Sequence, residues 1–134
     1  MARIARGRVA DLPLQFVLDD RSFAKEIASA RTFGFTHEIE TLRKANLALG
    51  GSLENAIVLT EDGMLNETPL RFNDEFVRHK ILDLIGDLAL LGMPLLGKVT
   101  AEKSGHAIHA SLMAKLLNTK GAWEHVEAKS GGER

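Results

Sequence analysis

Residues 76–92 read FVRHKILDLIGDLALLG, and how this stretch separates its polar from its apolar positions decides the organisation of the chain around it. On a helix each residue turns by about 100°, so with His79 at the origin Asp83 falls near 40°, Asp87 near 80° and Lys80 near 100°. Ile81, Leu84, Ile85 and Leu88 then fall between about 140° and 240°, an apolar stripe made to meet a core. Two faces on one segment describe an amphipathic helix. Phe76 and Leu90 fall inside the polar sector, so that face is more than a solvated surface. Asn73 stands before Asp74 and Glu75, an N-cap followed by acids that the helix dipole favours. Gly92 and Pro94 mark the end.

Working outward, LLGKVTAEK (95–103) reads as a strand, and Ser104-Gly105 opens a last amphipathic helix over 106–117. On the N-terminal side, LQFVLD (14–19) is a short strand candidate, and Asp20 can cap a helix over 21–30. ARTFGF (30–35) interrupts that helix at Gly34, and HEIETLRKAN (37–46) resumes as a short amphipathic helix. Gly50-Gly51 and Asp62-Gly63 bracket a β-branched run at 56–60, a strand followed by a tight turn into a second short strand. The order predicts an α+β fold: a two-layer sandwich with helices on one face of a small mixed β-sheet. Residues 1–13 are expected to form a flexible or irregular arm, 14–120 one α+β domain, and 121–134 a largely disordered tail.

Composition narrows the partners. The 134 residues are enough for one ordinary domain. Lys and Arg (17) nearly balance Asp and Glu (18), leaving a formal charge of -1, so no global field holds nucleic acid. With no cysteine, histidine and carboxylates are the strong metal ligands left. No apolar run approaches the roughly 20 residues of a membrane span. A cytoplasmic setting is the expectation.

His79 and Asp83, one helical turn apart, can converge on one ion; the same spacing also arises on an exposed face whose charges merely interact at i,i+4. Asp87 lies too far along to be an equal ligand of that ion, and suits holding another imidazole by hydrogen bond. His106, just after a Ser-Gly loop, can be that imidazole and a group that passes a proton, or a surface histidine after a turn. His37, His109 and His125 show no partner in the sequence, and core filling or exposure is the expectation for each. Thr32 offers a hydroxyl at a helix end, and Gly50-Gly51 can bring backbone close to a ligand. Apolar residues from Leu47 to Val58 can line a groove or fill ordinary core.

Taken in order and spacing, SARTFGF, LALGGSLENAIVL, LRFNDEFVRHKILDLIGDLALLG and AEKSGHA closely resemble the C-terminal half of the UDP-3-O-acyl-N-acetylglucosamine deacetylases, the LpxC family, zinc enzymes of lipid A synthesis. The match covers roughly residues 20–125, and DEFVRHKILDLIGD is its most specific block. The resemblance implies a zinc-dependent amidohydrolase acting on a UDP-acyl-amino-sugar. It implies that His79 and Asp83 bind Zn2+, and that Asp87 holds His106, the general acid at the leaving amine. By the same resemblance Lys80 helps hold substrate, Thr32 helps stabilise the oxyanion, and Phe33 borders the sugar. Gly51 and Ser52 belong to the segment implied to take the acyl chain. The family's third zinc histidine and general-base glutamate belong to an N-terminal half with no counterpart here. The chain is therefore expected to be inactive alone and to need that half, or self-association; the alternative is a non-catalytic fragment that binds acyl-sugar nucleotide or metal weakly.

Overall fold

A computed structural model describes residues 14–127 of the chain. The expected strand at 14–19 is irregular, with Val17 and Leu18 exposed; among the described residues no strand pairs with it, and an unpaired strand has nowhere to place its backbone hydrogen bonds. Asp19 caps the first helix in place of Asp20, accepting from the Ser22 amide at 2.7 Å while Ser22 Oγ accepts from the Asp19 amide at 2.9 Å. That helix, α1 (Asp20–Ser22), widens at once into a π-helical turn, Phe23–Ile27, closed by Ala28 N–H donating to the Phe23 carbonyl at 2.9 Å.

The segment expected to be a plain helix stop is a strand. β1 (Thr32–Phe35) runs parallel to β2 (Ala56–Leu59), with Thr32 opposite Ala56 and Phe35 opposite Leu59. A parallel pair needs a crossover, and α2 (Thr36–Lys44) supplies it. Ile39 of α2 lies over Gly34, where an added Cβ would stand 3.6 Å from Cγ1 of Ile39. The expected second strand after Asp62-Gly63 shrinks to one antiparallel bridge between Leu59 and Met64. Asn66 explains why so little is needed there: its Oδ1 accepts from the Val58 amide at 2.8 Å, and its Nδ2 donates to the Leu53 and Ala56 carbonyls at 2.8 and 2.7 Å. One side chain satisfies backbone groups that another strand would otherwise take.

α3 (Glu75–Ala89) is the helix of the opening stretch. Past its end three i→i+3 bonds tighten the chain, from Leu90, Leu91 and Gly92 to Asp87, Leu88 and Ala89, and Gly92 turns left-handed at φ 74°. Residues 95–103 are irregular, with Leu95, Leu96 and Val99 exposed and no strand paired with them among the described residues. α4 (His106–Asn118) then closes the regular structure. Among the described residues the fold is α+β, four helices with a small two-stranded parallel sheet.

The described residues form two compact units that divide between Asp83 and Leu84. In the first, Ile27, Ala30, Ile57 and Leu59 form the buried apolar core. Beside them lies a buried ion pair. Glu75 Oε1 accepts from the Arg31 amide and Nε, both at 2.9 Å, and Oε2 accepts from Arg31 Nη2 at 3.1 Å and the Arg71 amide at 2.6 Å. Arg31 also donates to Thr68 Oγ1 and the Pro69 carbonyl, so both charges are fully satisfied. In the second unit Leu84, Ile85 and Leu88 are half-buried. Among the described residues no helix is long and apolar enough to cross a membrane. The expected arm at 1–13 and the last part of the expected tail, 128–134, lie outside the described residues.

Candidate functional site

In the first unit a cavity of about 180 Å³ is lined by Thr32, Phe33, Phe35, Glu38, His79, Lys80 and Asp83. The sheet and the helix build it together. Thr32 and Phe33 open β1 directly after Arg31, whose bonds to Glu75 tie the strand to the first residue of α3. From Glu75, one helical turn brings His79 into place and a second brings Asp83. Phe33 meets Phe76 edge to face, with centroids 4.9 Å apart, and His79 at 6.1 Å. The Phe76 side chain that interrupts the polar stripe is therefore part of the wall on which Phe33 rests.

His79 Nε2 stands 3.2 Å from Asp83 Oδ1, and Lys80 Nζ donates to Asp83 Oδ2 at 2.6 Å. Burial by itself would raise the Asp83 carboxyl, but hydrogen bonds from His79 and Lys80 outweigh it and hold Asp83 well below the usual carboxylate range. For His79 burial favours the neutral ring, and the bond and charge of Asp83, with the Ala30 carbonyl, overcome this and raise its pKa. His79 Nδ1 lies 3.2 Å from the Ala30 carbonyl. A carbonyl only accepts, so Nδ1 carries the proton. Nε2 of a neutral His79 thus turns a lone pair toward a carboxylate oxygen, an arrangement that calls for a proton or a cation between them.

In the second unit Asp87 Oδ2 accepts from His106 Nδ1 at 2.7 Å and from His109 Nδ1 at 2.6 Å. The bonds from His109 and then His106 hold the Asp87 carboxyl below its ordinary value. The structure thus joins Asp87 to His106, and adds His109, whose other nitrogen, Nε2, meets Ser104 Oγ at 2.9 Å. The His106-x-x-His109 spacing on α4 already puts both rings on one helix face, and that was the signal available. Gly51 and Ser52 lie in the exposed turn before β2, where Ser52 pairs with Asn55 and Glu54, and neither lines the cavity. His37 lies beside Phe35 and His125 beside Trp123, with ring centroids 5.7 and 4.9 Å apart.

Two donor sets among these residues invite a metal. Asp87, His106 and His109 offer three ligand atoms within 4.8 Å of one another, yet two of the separations are hydrogen-bond lengths. His79 and Asp83 stand 3.2 Å apart, close to the about 3.3 Å that two ligands keep on a tetrahedral zinc with bonds of about 2.0–2.1 Å.

Comparison with known proteins bears on the same residues. The family model described as UDP-3-O-acyl N-acetylglycosamine deacetylase matches residues 7–118. The protein named UDP-3-O-acyl-N-acetylglucosamine deacetylase from Hahella chejuensis is 48% identical over 130 residues, which is 97% of this chain and 42% of that relative. The chain thus spans less than half the length of the curated relative it matches.

Proposed function

The chain belongs to the UDP-3-O-acyl N-acetylglycosamine deacetylase family, and from that premise we propose that it is the catalytic-half domain of a zinc-dependent amidohydrolase. In this reading it removes the N-acetyl group of UDP-3-O-acyl-N-acetylglucosamine in lipid A biosynthesis. The observation that carries the reading is the His79–Asp83 pair, with Nε2 and Oδ1 3.2 Å apart beside Lys80 in a cavity. Zinc held there would lower the pKa of a bound water and polarise the acetamide carbonyl.

The protein groups have separable tasks in this reading. The Ala30 carbonyl fixes the His79 tautomer through Nδ1, which leaves Nε2 as the ligand atom. Lys80 occupies Asp83 Oδ2, which leaves Oδ1 for the metal and places a cation beside the cavity for an anionic substrate. Thr32 offers a hydroxyl to the oxygen that gains charge as the carbonyl is attacked, and Phe33 gives the sugar an apolar wall. His106 protonates the departing amine, with Asp87 holding its ring.

A catalytic zinc takes three protein ligands and a water. His79 and Asp83 are two, and we assign the third to a histidine of the N-terminal half that the family resemblance implies. Deacetylation is therefore expected from the chain combined with a segment that supplies the third ligand, and not from the chain alone. The test is to measure acetate release with the chain alone and after mixing with the remaining length of the Hahella chejuensis relative. Activity only in the mixture supports the reading. None in either case, with both components folded, overturns it in favour of a non-catalytic fragment that binds acyl-sugar nucleotide or metal weakly.

A further inference from the structure

Among the described residues from Leu84 onward, one is buried, and it is His109, 2% exposed. Interior positions normally go to apolar side chains, and a polar ring in that place must have its nitrogens satisfied. Both are, Nδ1 by Asp87 Oδ2 at 2.6 Å and Nε2 by Ser104 Oγ at 2.9 Å.

The proton positions follow from these partners. The low pKa of Asp87 keeps its carboxyl ionised, so Oδ2 only accepts. Nδ1 of His109 donates to it at 2.6 Å, and Nε2 is hydrogen-bonded to the Ser104 hydroxyl at 2.9 Å. Oδ2 also takes the Nδ1 proton of His106, whose side chain is 70% exposed. The exposed ring is thus held by a single oxygen, and that oxygen is fixed by the buried ring behind it. A shared ion is the weaker account of this trio, because the imidazole nitrogens approach Oδ2 to 2.6 and 2.7 Å, closer than the about 3.3 Å between two ligands of a tetrahedral metal.

We propose that His109, braced by Ser104, is a positioning residue: it fixes the Asp87 carboxylate so that His106 keeps one proton on Nδ1, bonded to Oδ2, and the second proton of the charged ring sits on Nε2, the atom that hands it to substrate and is left with a lone pair. The purpose assigned to His106 rests on the function proposed above. The hydrogen-bonded chain itself does not.

The test is imidazole nitrogen NMR on the full chain, comparing the parent with His109→Ala, His109→Asn and Ser104→Ala. In the parent, the proton of His106 resides on Nδ1 and exchanges slowly with water. In His109→Ala, His106 should become a mixture of tautomers with faster Nδ1 proton exchange. Ser104→Ala should move the same way by less, and His109→Asn, which keeps an N–H donor, should restore most of the parent signal. Unchanged His106 signals in folded His109→Ala overturn the proposal; if that variant does not fold, unchanged signals in Ser104→Ala do so. In the assembled enzyme His109→Ala should lower kcat about tenfold, the low end of what supporting hydrogen bonds contribute, with KM held within about twofold. Loss of the fixed tautomer without deacetylation by the parent assembly would support the positioning and overturn only the acid role of His106.

Discussion

At the scale of single residues, the stripe on α3 separates into two tasks. His79 and Asp83 face each other at 3.2 Å in the first unit, and Asp87 turns its oxygen to two histidines in the second. The i,i+4 spacing made the first pair legible in the sequence, because helical geometry alone puts both side chains on one face. The link from Asp87 to His106 was one of two readings the residues offered, and the family resemblance favoured it, since a separation of 19 positions sets no distance. His109 escaped because burial is a property of the packed unit, and nothing in the sequence distinguishes it from an exposed histidine. Lys80 supplies a prediction at this scale. It bonds Asp83 Oδ2 and stands on the cavity wall, and the proposed function gives it a part in holding substrate. Lys80→Ala should therefore raise KM by about tenfold, as expected for loss of a charged hydrogen bond worth about 1.5–3 kcal/mol. Steady-state kinetics of the assembled enzyme would measure this, and an unchanged KM would remove Lys80 from the substrate site.

At the scale of elements, the long periodic helices were legible and the short strands were not. α3 and α4 carry enough turns for their periodicity to stand out, whereas β1 has four residues, one of them Gly34, and exists through its pairing with β2. Residues 14–19 and 95–103 have strand-like composition but no strand to pair with among the described residues. The acids at the start of α3 have a stronger reason than the helix dipole. Asp74 binds Arg78 Nε at 2.6 Å, and Glu75 is the buried partner of Arg31. Glu75→Gln leaves Arg31 without its counter-charge and should destabilise the first unit by about 3–5 kcal/mol, read from urea unfolding. Burial would raise the Glu75 carboxyl, but bonds from Arg31 and Arg71 and the Arg31 charge outweigh it, so its folded pKa lies below the ordinary 4.5. A depressed carboxylate contributes stability that is full above the unfolded pKa and is lost as pH falls through the folded one. The gap between parent and Glu75→Gln should therefore hold from neutral pH down to about pH 5 and close below it. A gap independent of pH would contradict the ion-pair account.

At the scale of the whole molecule, the chain matches 42% of its curated relative and leaves large apolar side chains open to water. In the second unit Leu90 is 78% exposed and Leu96 87%, and in the first Val17 is 76% exposed. Self-association, or association with a segment that completes the site, is expected. Sedimentation should show a mass that rises with concentration, and a clean monomer at high concentration would contradict this. The central claim is that the metal sits at His79 and Asp83. Competition with a chelator of known strength measures it most directly, comparing zinc affinity of the parent chain with Asp83→Ala and Asp87→Ala. The account predicts that Asp83→Ala weakens binding by at least about tenfold, since even supporting groups around a metal contribute about 10–100-fold, while Asp87→Ala changes it by less than about threefold. The reverse order would place the ion among Asp87, His106 and His109, and would contradict both the metal site and the hydrogen-bonded role given to that trio.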